Sequence, residues 1–329
     1  MIDGIVMFSG GLDSVCATHL LLSQGLKLKA LHFVLPFYSG LGMEFTQVKT
    51  AAEKLGVPLQ IIEESEEYLA VVKNPVFGFG KNVNPCVDCR IHRLKTAKKL
   101  MEAEGASFIA TGEVVGQRPM SQRMDCLHKI ENHAALKGYL IRPLSAKLLP
   151  PTLAEQKGII DREKLLSISG RGRREQIAYA RKYGLVHGTP AGGCTLTNEK
   201  TADRFNDLVR NTPDFDLEDF RLLAWGRHFR LSPSCKLVVG RDDADNTALE
   251  RISSGADGLL CLPDTVPGPF GILRGTTIQD YIAKSASFFA RYTKFRKEKS
   301  CRVIFKHADK EDVFEVLPAA DEECDRLRI

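Results

Sequence analysis

The sequence lacks the features that would mark a membrane or secreted protein. No apolar run in its 329 residues approaches the ~20 residues that a bilayer-spanning helix needs. No basic region precedes Ile2, so the amino-terminal segment does not have the pattern of a secretory signal peptide. Internal repeats and low-complexity tracts are absent as well. These absences predict a globular, cytoplasmic protein without a membrane partner.

A strong charge of one sign is also absent. The chain has 46 lysine and arginine residues against 41 aspartate and glutamate residues, a formal net charge of +5. This mild excess is compatible with a nucleic-acid partner but does not require one. Apolar residues make up 43% of the chain and charged residues 26%, which is typical of globular proteins. The length predicts one large domain or two ordinary ones.

The most informative segment is the loop Ser9–Ser14, of sequence SGGLDS, which joins the apolar run Ile5–Phe8 to a helical pattern. A glycine-rich loop between a strand and a helix lets backbone amides converge on an anion, and the helix N-terminus adds positive potential. The loop lacks the lysine of the Walker motif and carries a carboxylate, Asp13, instead. Since a carboxylate beside phosphates needs a divalent cation between them, the loop predicts a phosphate site with Mg²⁺ on Asp13.

The chain up to about residue 200 alternates strand-like and helix-like segments, which predicts a doubly wound, mostly parallel α/β sheet. The loops after Phe8, Phe33 and Thr111 are then expected to share one crevice at the carboxyl ends of the strands. A helical stretch follows, and from Cys235 shorter strands alternate with helices. We therefore predict an α/β domain at 1–198, a helical linker at 199–232 and a smaller α+β domain at 233–329.

Nine cysteines in a chain without an export signal favour metal ligands or redox groups over structural disulfides. Cys86 and Cys89 form a C-x-x-C pair just before a predicted helix, and Cys194 ends a turn-rich loop. The helix N-terminus and the cations Arg90 and Arg93 are expected to lower the pKa of these thiols and favour thiolates.

Three interpretations of the three cysteines stay open. Three thiolates without an obvious fourth ligand suit a [4Fe–4S] cluster with one open iron. A zinc site needs a fourth ligand, for which His92 and His187 are candidates without typical spacing. Without a metal, one cysteine would carry a persulfide that another resolves through a disulfide. We favour the cluster, with Cys86, Cys89 and Cys194 as its ligands.

Three further segments carry polar or basic side chains. The segment 111–123 follows a predicted strand and is expected to face the crevice, and Arg142–Lys147 offers more cations beside phosphates. Residues 288–302 interleave aromatic and cationic side chains, a pattern that can track a phosphate backbone and stack bases. An amphipathic helix with its aromatic residues in the core explains that last pattern nearly as well.

With these residues assembled, the chain resembles the PP-loop ATP pyrophosphatases among the tRNA thiolation enzymes. The loop Ser9–Ser14 matches the nucleotide signature of that family. The segment Asn84–Cys89, followed by a helix and Ile109–Gly112, resembles the tRNA 2-thiouridylases. The segments Gly112–Gln122 and Arg142–Leu144 are closer to the tRNA 4-thiouridine synthetases. This resemblance covers about residues 1–197.

The second half resembles, more weakly, the RNA-binding domain of the NFACT proteins. The matching residues are Val239–Arg241, Asn246, Asp257 and Pro267–Pro269. This resemblance implies that the carboxyl-terminal part binds RNA.

The resemblance to the thiolation enzymes implies an ATP-dependent tRNA uridine sulfurtransferase. A uridine carbonyl oxygen would attack the α-phosphate of ATP and release pyrophosphate, and sulfur from a cluster or a cysteine persulfide would then displace AMP. The implied cofactors are ATP, Mg²⁺ and a [4Fe–4S] cluster. The implied partners are tRNA and a sulfur donor, either a cysteine desulfurase or free sulfide. Assembly as a homodimer is left open.

The same resemblance implies a role for individual residues. His32, Phe33 and Val34 would line the adenine pocket, with Gly112 close to the ribose or the α-phosphate. Asp13, Cys89 and Cys194 are the expected catalytic residues. The full set expected to bind the nucleotide is Ser9, Gly10, Gly11, Asp13, Ser14, His32, Phe33, Val34, Thr111, Gly112 and Gln117.

Three alternatives stay open at this point. A PP-loop ligase would use the same loop to form an amide-type or lysidine-type C–N bond, with zinc in the cysteine site. A non-catalytic RNA-binding protein would use ATP only as a switch, which leaves Asp13 and the cysteines unexplained. A desulfurating enzyme would use a similar cluster on thiolated bases but would not need the ATP loop.

Overall fold

The computed structural model describes residues 2–42, 45–188, 194–263, 266–275 and 278–329. The chain divides into two compact units. The first comprises Met1–Leu35 and Gly42–Cys194, and the second comprises Pro36–Leu41 and Thr195–Ile329. Among the described residues, no helix is both long enough and apolar enough to cross a bilayer.

The first unit is built on five parallel strands. The strands are β1 (Gly4–Met7), β2 (Leu28–Val34), β3 (Leu59–Glu63), β4 (Phe108–Thr111) and β5 (Leu140–Ile141). They pair in the order β3-β2-β1-β4-β5. The helices are α1 (Leu12–Leu22), α2 (Thr46–Leu55), α3 (Glu66–Lys73), α4 (Cys86–Ala103), α5 (Met124–His133), α6 (Leu153–Gln156) and α7 (Arg174–Lys182). The predicted parallel α/β architecture is therefore confirmed.

The central strand β1 is apolar throughout because both of its faces are buried. Val6 packs in a core with residues of α1 and α2, whereas Ile5 and Met7 pack in a core with residues of α4 and α5. Alternating side chains of a strand point to opposite faces, so this division means that helices cover both sides of the sheet. In register, Met7 lies opposite Leu31 of β2 and Thr111 of β4. The loops after these three strands therefore begin at the same edge.

The second unit is built on six antiparallel strands in the order β11-β10-β8-β9-β7-β6. Its strands are β6 (Arg227–Ser232), β7 (Cys235–Val239), β8 (Gly258–Cys261), β9 (Gly271–Gly275), β10 (Cys301–His307) and β11 (Lys310–Val316). Its helices are α8 (Glu199–Asn211), α9 (Leu217–Leu222), α10 (Asp243–Ile252), α11 (Ile278–Ala290) and α12 (Asp321–Leu327). It is an α+β unit, as the sequence predicts.

The structure differs from the predicted helical linker at 199–232. The helices α8 and α9 belong to the second unit, and β6 occupies the last part of that range. Phe229 and Leu231 are buried in the core of the unit, whereas His228 and Arg230 alternate with them. An alternation with a period of two is typical of a strand. The sequence did not indicate it clearly, because the earlier part of the same segment is strongly amphipathic with a helical period.

The aromatic and basic stretch at 288–302 follows the amphipathic interpretation. Phe288 and Phe289 end α11 fully buried in the core, so they are unavailable to stack RNA bases. Phe295 is partly buried against the same core. The stretch was predicted to offer both aromatic and cationic side chains to RNA, and its cations are still placed to do so. Lys294 and Arg296 line a cavity in this unit.

Candidate active site

A cavity of about 380 Å³ lies in the first unit, where the carboxyl ends of β1, β2 and β4 meet. Its wall contains the whole loop Ser9–Ser14, His32 and Phe33 from β2, and Thr111 with Gly112 at the end of β4. The other polar side chains of the wall are Gln47, Arg90, Arg93, Glu113, Arg118, Gln122, Arg173 and Cys194. The crevice predicted from the strand ends is thus a defined cavity with basic, acidic and thiol groups.

The loop is held by its own two serines. The Ser14 hydroxyl donates to the Gly11 carbonyl oxygen at 2.9 Å and lies 3.1 Å from the Ser9 hydroxyl. Gly10 has a φ of +71°, in the left-handed region, and a Cβ there would lie 3.0 Å from the Val48 Cα atom. The glycine is therefore required by both backbone conformation and space.

A second glycine fixes the loop from the neighbouring strand. A Cβ on Gly112 would lie 2.6 Å from the Ser14 backbone nitrogen and 2.7 Å from the Asp13 carbonyl carbon. The two backbones are therefore in direct contact. On its other side the loop is tied by Gly188, whose amide donates to the Gly10 carbonyl oxygen at 2.8 Å.

Asp13 and Gln117, which the sequence places 104 residues apart, meet in the structure. The Gln117 Nε2 atom donates to Asp13 Oδ2 at 3.0 Å. Asp13 Oδ1 and Gln117 Oε1 are both buried, and neither has a hydrogen-bond partner in the described part of the chain. Two unpartnered oxygens beside a phosphate-type loop are ligands that Mg²⁺ accepts, so these residues fit the predicted cation.

The residues predicted to line an adenine pocket divide into two groups. His32 and Phe33 lie in the cavity wall, and His32 Nδ1 is 3.0 Å from the Phe8 carbonyl oxygen. Burial lowers the pKa of His32, more than that hydrogen bond raises it, so the ring is neutral near pH 7. Val34 is 2% exposed and packs in the sheet rather than in the described wall. Thr111 lies in the wall, but its hydroxyl bonds Glu113.

Glu113 is a buried acid between two arginines. Its carboxylate lies 3.2 Å from Arg90 Nε and accepts from Arg142 Nε at 3.1 Å. Burial alone would raise the pKa of Glu113, but the charges of Arg90 and Arg142 outweigh burial and hold it below its ordinary value. Arg142 is itself 2% exposed and also bonds Glu131. The prediction that Arg142 offers a cation to phosphates is therefore wrong, since its guanidinium group is paired with the carboxylates of Glu113 and Glu131.

The cations that stay available to a ligand are Arg118 and Arg173. Both lie in the cavity wall, and within the described residues neither has a carboxylate partner. By contrast, Arg93 forms a two-point ion pair with Glu64. Arg118 belongs to the segment 111–123, which the sequence predicts to face the crevice, and the structure places it there. Arg173 is not assigned to the site from the sequence, although it follows Gly172 in a polar loop, which is the signal that could have found it.

The thiols are arranged around Tyr68. Cys194 lies in the cavity wall, and the Tyr68 hydroxyl hydrogen-bonds the Cys89 thiol. Both cysteines act electrostatically on Tyr68, so both sulfurs lie near one phenol. Burial raises the pKa of Cys89, and the nearby Arg93 charge only partly offsets that effect. The prediction of a lowered thiol pKa is therefore wrong for Cys89, because desolvation outweighs the neighbouring cations.

Cys86 is engaged elsewhere, since the Asn84 side-chain amide donates to its sulfur at 3.1 Å. No three cysteine, histidine or carboxylate side chains of the described residues converge in a way that could hold a metal. The zinc candidates also point elsewhere: His92 faces Glu64 at 3.9 Å and His187 contacts the Gly188 carbonyl oxygen. The turn-rich loop 189–193 before Cys194 lies outside the described residues. The three cysteines as described do not fit a three-thiolate cluster.

Two family models match the chain. Residues 2–147 match the family described as thiamine biosynthesis protein (ThiI). Residues 226–328 match the family described as NFACT protein RNA binding domain. Two separate parts of the chain are thus similar to these two families, and both predicted resemblances are confirmed.

Two curated relatives match part of the chain. The chain is 35% identical over 162 residues to a probable tRNA sulfurtransferase of Lysinibacillus sphaericus, a match covering 47% of this chain and 38% of the relative. It is 33% identical over 118 residues to the tRNA-specific 2-thiouridylase MnmA of Syntrophotalea carbinolica, covering 33% of each. The chain thus spans between a third and two fifths of the length of these relatives.

Solved structures give distant likenesses. The U34-tRNA thiolase NcsA from Methanococcus maripaludis with its [4Fe–4S] cluster is 17% identical, with a TM-score of 0.30, and the match covers 68% of this chain and 69% of that one. The carboxyl-terminal part of the fibronectin/fibrinogen-binding protein from Streptococcus suis is 14% identical, with a TM-score of 0.29, covering 54% and 84%.

Replacing Gly112 with alanine is expected to displace the loop, because the new Cβ would collide with the Ser14 backbone. We expect a loss of about 1–3 kcal/mol in the free energy of unfolding and faster amide hydrogen exchange at residues 9–14. Gly172→Ala is the matched control, since no atom lies within 4 Å of a Cβ there. Equal stability and equal exchange in the two variants would contradict the contact.

Replacing Glu113 with glutamine is expected to cost about 3 kcal/mol near pH 7, because the buried Arg142 and the partly buried Arg90 lose their shared carboxylate. Since the folded state lowers the pKa of Glu113, the carboxylate stabilises the fold above its ordinary pKa of 4.5, and this contribution disappears as the pH falls through the folded-state value. Urea unfolding of Glu113→Gln should therefore approach that of the wild type on acidification.

The control for this effect is Glu163→Gln. Glu163 forms an exposed pair with Lys147, for which we expect a change below about 1 kcal/mol at every pH. If Glu113→Gln behaves like Glu163→Gln, the buried carboxylate does not hold the two arginines as described.

Proposed function

We propose that the chain is an ATP-dependent tRNA uridine sulfurtransferase. The observation that carries the proposal is the composition of one cavity wall, which holds a phosphate-type loop, an acid with an unpartnered oxygen and a cysteine. An activating step and a sulfur-transfer step both need such groups within reach of one substrate atom. The match of the first unit to the ThiI family, and its partial relatives among tRNA thiolation enzymes, support the same reaction.

In the first step, ATP binds with its phosphates at the Ser9–Ser14 amides. Arg118 and Arg173, which line the same cavity and have no acidic partner among the described residues, would balance the phosphate charge. Asp13 and Gln117 would hold Mg²⁺, whose chemistry is to neutralise charge on the phosphate oxygens. The neutral ring of His32 and the ring of Phe33 offer an apolar wall to the adenine.

The uridine carbonyl oxygen then attacks the α-phosphorus. A new P–O bond forms, the bond to the β-phosphate oxygen breaks, and pyrophosphate leaves with that electron pair. This step is needed because a carbonyl oxygen is a poor leaving group until it is part of AMP. The loop amides and nearby cations stabilise the charge that develops on the phosphoryl oxygens.

For the sulfur step we propose a persulfide on Cys194 and a resolving thiol on Cys89. The supporting observation is that both sulfurs lie near Tyr68, whereas Cys86 is bonded to Asn84. The terminal persulfide sulfur attacks the activated carbon, the C–O bond breaks and AMP leaves. The Cys89 thiolate then attacks the Cys194 sulfur, which releases the thiolated base and leaves a Cys89–Cys194 disulfide.

The residues around Cys89 suit this role. Its raised pKa keeps the thiol protonated until it is needed, and the Tyr68 hydroxyl donates a hydrogen bond to the thiolate that forms. The cycle closes when sulfide attacks the disulfide and regenerates the Cys194 persulfide. Alternatively, a dithiol reductant opens the disulfide, and a cysteine desulfurase then supplies the sulfur.

The second unit is proposed to hold the tRNA. A cavity of about 700 Å³ in that unit is lined by five cations and one acid: Arg227, Arg291, Lys294, Arg296, Arg328 and Asp321. This surplus of positive charge suits a phosphate backbone, and its share of the binding energy is expected to weaken with salt.

The test is a reaction of the full chain, oxidised beforehand to the Cys89–Cys194 disulfide, with a tRNA transcript, ATP and sulfide, in which pyrophosphate and thiouridine are both quantified. Asp13→Asn should reduce both products about 100-fold or more, because it removes the proposed cation ligand. Cys194→Ser should abolish thiouridine but keep tRNA-dependent pyrophosphate release. Cys126→Ser, in the same unit, is the control and should keep both products.

The same assay separates the sulfur routes. Cys86→Ser should retain thiouridine formation if the persulfide route operates. If the variant instead loses both thiouridine formation and the iron of the purified protein, the result favours a cluster. Pyrophosphate release without any thiouridine in the wild type, or products that carry new nitrogen, would overturn the proposed function.

A further inference from the structure

Three cations form a row across the second sheet. Arg230 of β6 lies directly opposite Lys236 of β7, and Lys236 lies directly opposite Arg274 of β9. Residues paired in this way project from the same face of a sheet, and like charges placed directly opposite each other are destabilising. The row therefore needs compensation from elsewhere in the fold.

The two arginines of the row are compensated. Arg230 forms three hydrogen bonds with Asp207, between 2.5 and 3.2 Å. Arg274 forms two hydrogen bonds of 2.6 Å with Asp257. Lys236 is only 6% exposed, and the described residues provide its ammonium group with neither a hydrogen bond nor an ion pair. Its ammonium group is therefore reached from the space that the residue lines, where it is available to a ligand.

Lys236 lines a cavity of about 240 Å³. This space equals roughly eight water molecules at ~30 Å³ each, which is room enough for one heterocyclic base. Hydroxyl groups of Thr212, Ser234 and Ser254 line the cavity, together with the carboxylates of Asp219 and Asp257. The wall thus offers both donors and acceptors, as the edge of a nucleobase requires.

A phosphate suits this cavity poorly. Besides the two carboxylates already named, Asp216 lines the wall, so a phosphate beside Lys236 would face three acids. The two arginines of the wall, Arg230 and Arg274, are already bonded to Asp207 and Asp257. Burial and the nearby Arg230 charge lower the pKa of Lys236 to about 7, so the amine is often uncharged near neutral pH. A neutral base carries no such penalty, since its carbonyl oxygen accepts from the amine and its N–H groups donate to the carboxylates.

The cavity is connected to basic surface through shared residues. Arg230 also lines a cavity of about 480 Å³, together with Arg210, Arg326 and Arg328. Arg328 in turn belongs to the 700 Å³ cavity with Arg227 and Lys294. The cations of the three cavities are therefore linked through shared residues, with Asp203 and Asp207 as the acids of the middle cavity. Such a series can follow the backbone of a single strand.

We propose that the cavity at Lys236 binds the base of one unpaired RNA nucleotide, with the flanking phosphates on the cations that lead to it. The proposal rests on the proposed RNA-binding role of the second unit and adds to it a site that reads a base. Since RNA-binding proteins commonly recognise single-stranded bases by their hydrogen-bonding edges, this site would give the protein a preference for a loop or an end.

The test compares two single-stranded oligoribonucleotides of equal length and charge, one with its bases and one fully abasic. Affinity is measured by fluorescence anisotropy on the full chain. Lys236→Met should weaken binding of the base-containing oligomer about tenfold and leave binding of the abasic oligomer unchanged. Lys294→Met, on the cationic path, should weaken both oligomers equally and reduce the salt dependence.

The stability of Lys236→Met serves as a check on folding. Because the substitution removes a cation placed directly between Arg230 and Arg274, we expect a melting temperature at or above that of the wild type. As a second measurement, acetylation of the Lys236 amine should be blocked by the base-containing oligomer, but not by the abasic oligomer or by inorganic phosphate. This measurement needs no variant.

The outcomes separate this proposal from the proposed function. If the wild type binds both oligomers but Lys236→Met weakens them equally, or inorganic phosphate alone protects Lys236, the base site is wrong and the RNA-binding role stands. If the wild type binds neither oligomer, the base site and the RNA-binding role of the second unit are both overturned. Thiouridine formation in the assay above is scored independently of either result.

Discussion

The backbone contact between Gly112 and the Asp13–Ser14 peptide is the constraint on which the first unit depends. It exists because β1 and β4 are parallel and in register, so that Met7 and Thr111 end side by side. With no side chain on Gly112, the chain leaving β4 can pack on the start of α1. The loop is thereby held in place in the wall of the cavity.

The cations of the cavity wall fall into two groups, those paired with acids and those without an acidic partner. Arg90 and Arg142 share the buried Glu113, and Arg93 is paired with Glu64, so these cations set the shape of the wall. The described cations without acids, among them Arg118 and Arg173, are left for a polyanionic ligand. The fold thus fixes some arginines by burial and reserves others for chemistry, an arrangement that suits a nucleotide followed by a thiol-dependent step.

Much of the first unit could be predicted because its signals are local. The apolar run before Ser9 and the glycines after it determine a strand, a loop and a helix within about twenty residues. The state of Cys89 could not be predicted in this way, because the burial that raises the pKa of its thiol arises only once distant segments of the chain have packed around it. The cation row at Lys236 is equally hidden, since it exists only through the register of β6, β7 and β9.

The central claim is that the uridine oxygen becomes part of AMP. Its most direct test uses tRNA whose target uridine carries ¹⁸O at the carbonyl that is replaced, with mass spectrometry of the released nucleotides. The account predicts that the label appears in the phosphate of AMP, with one labelled AMP for each thiouridine formed. Label found in pyrophosphate or in water, with unlabelled AMP, would contradict adenylation of the base.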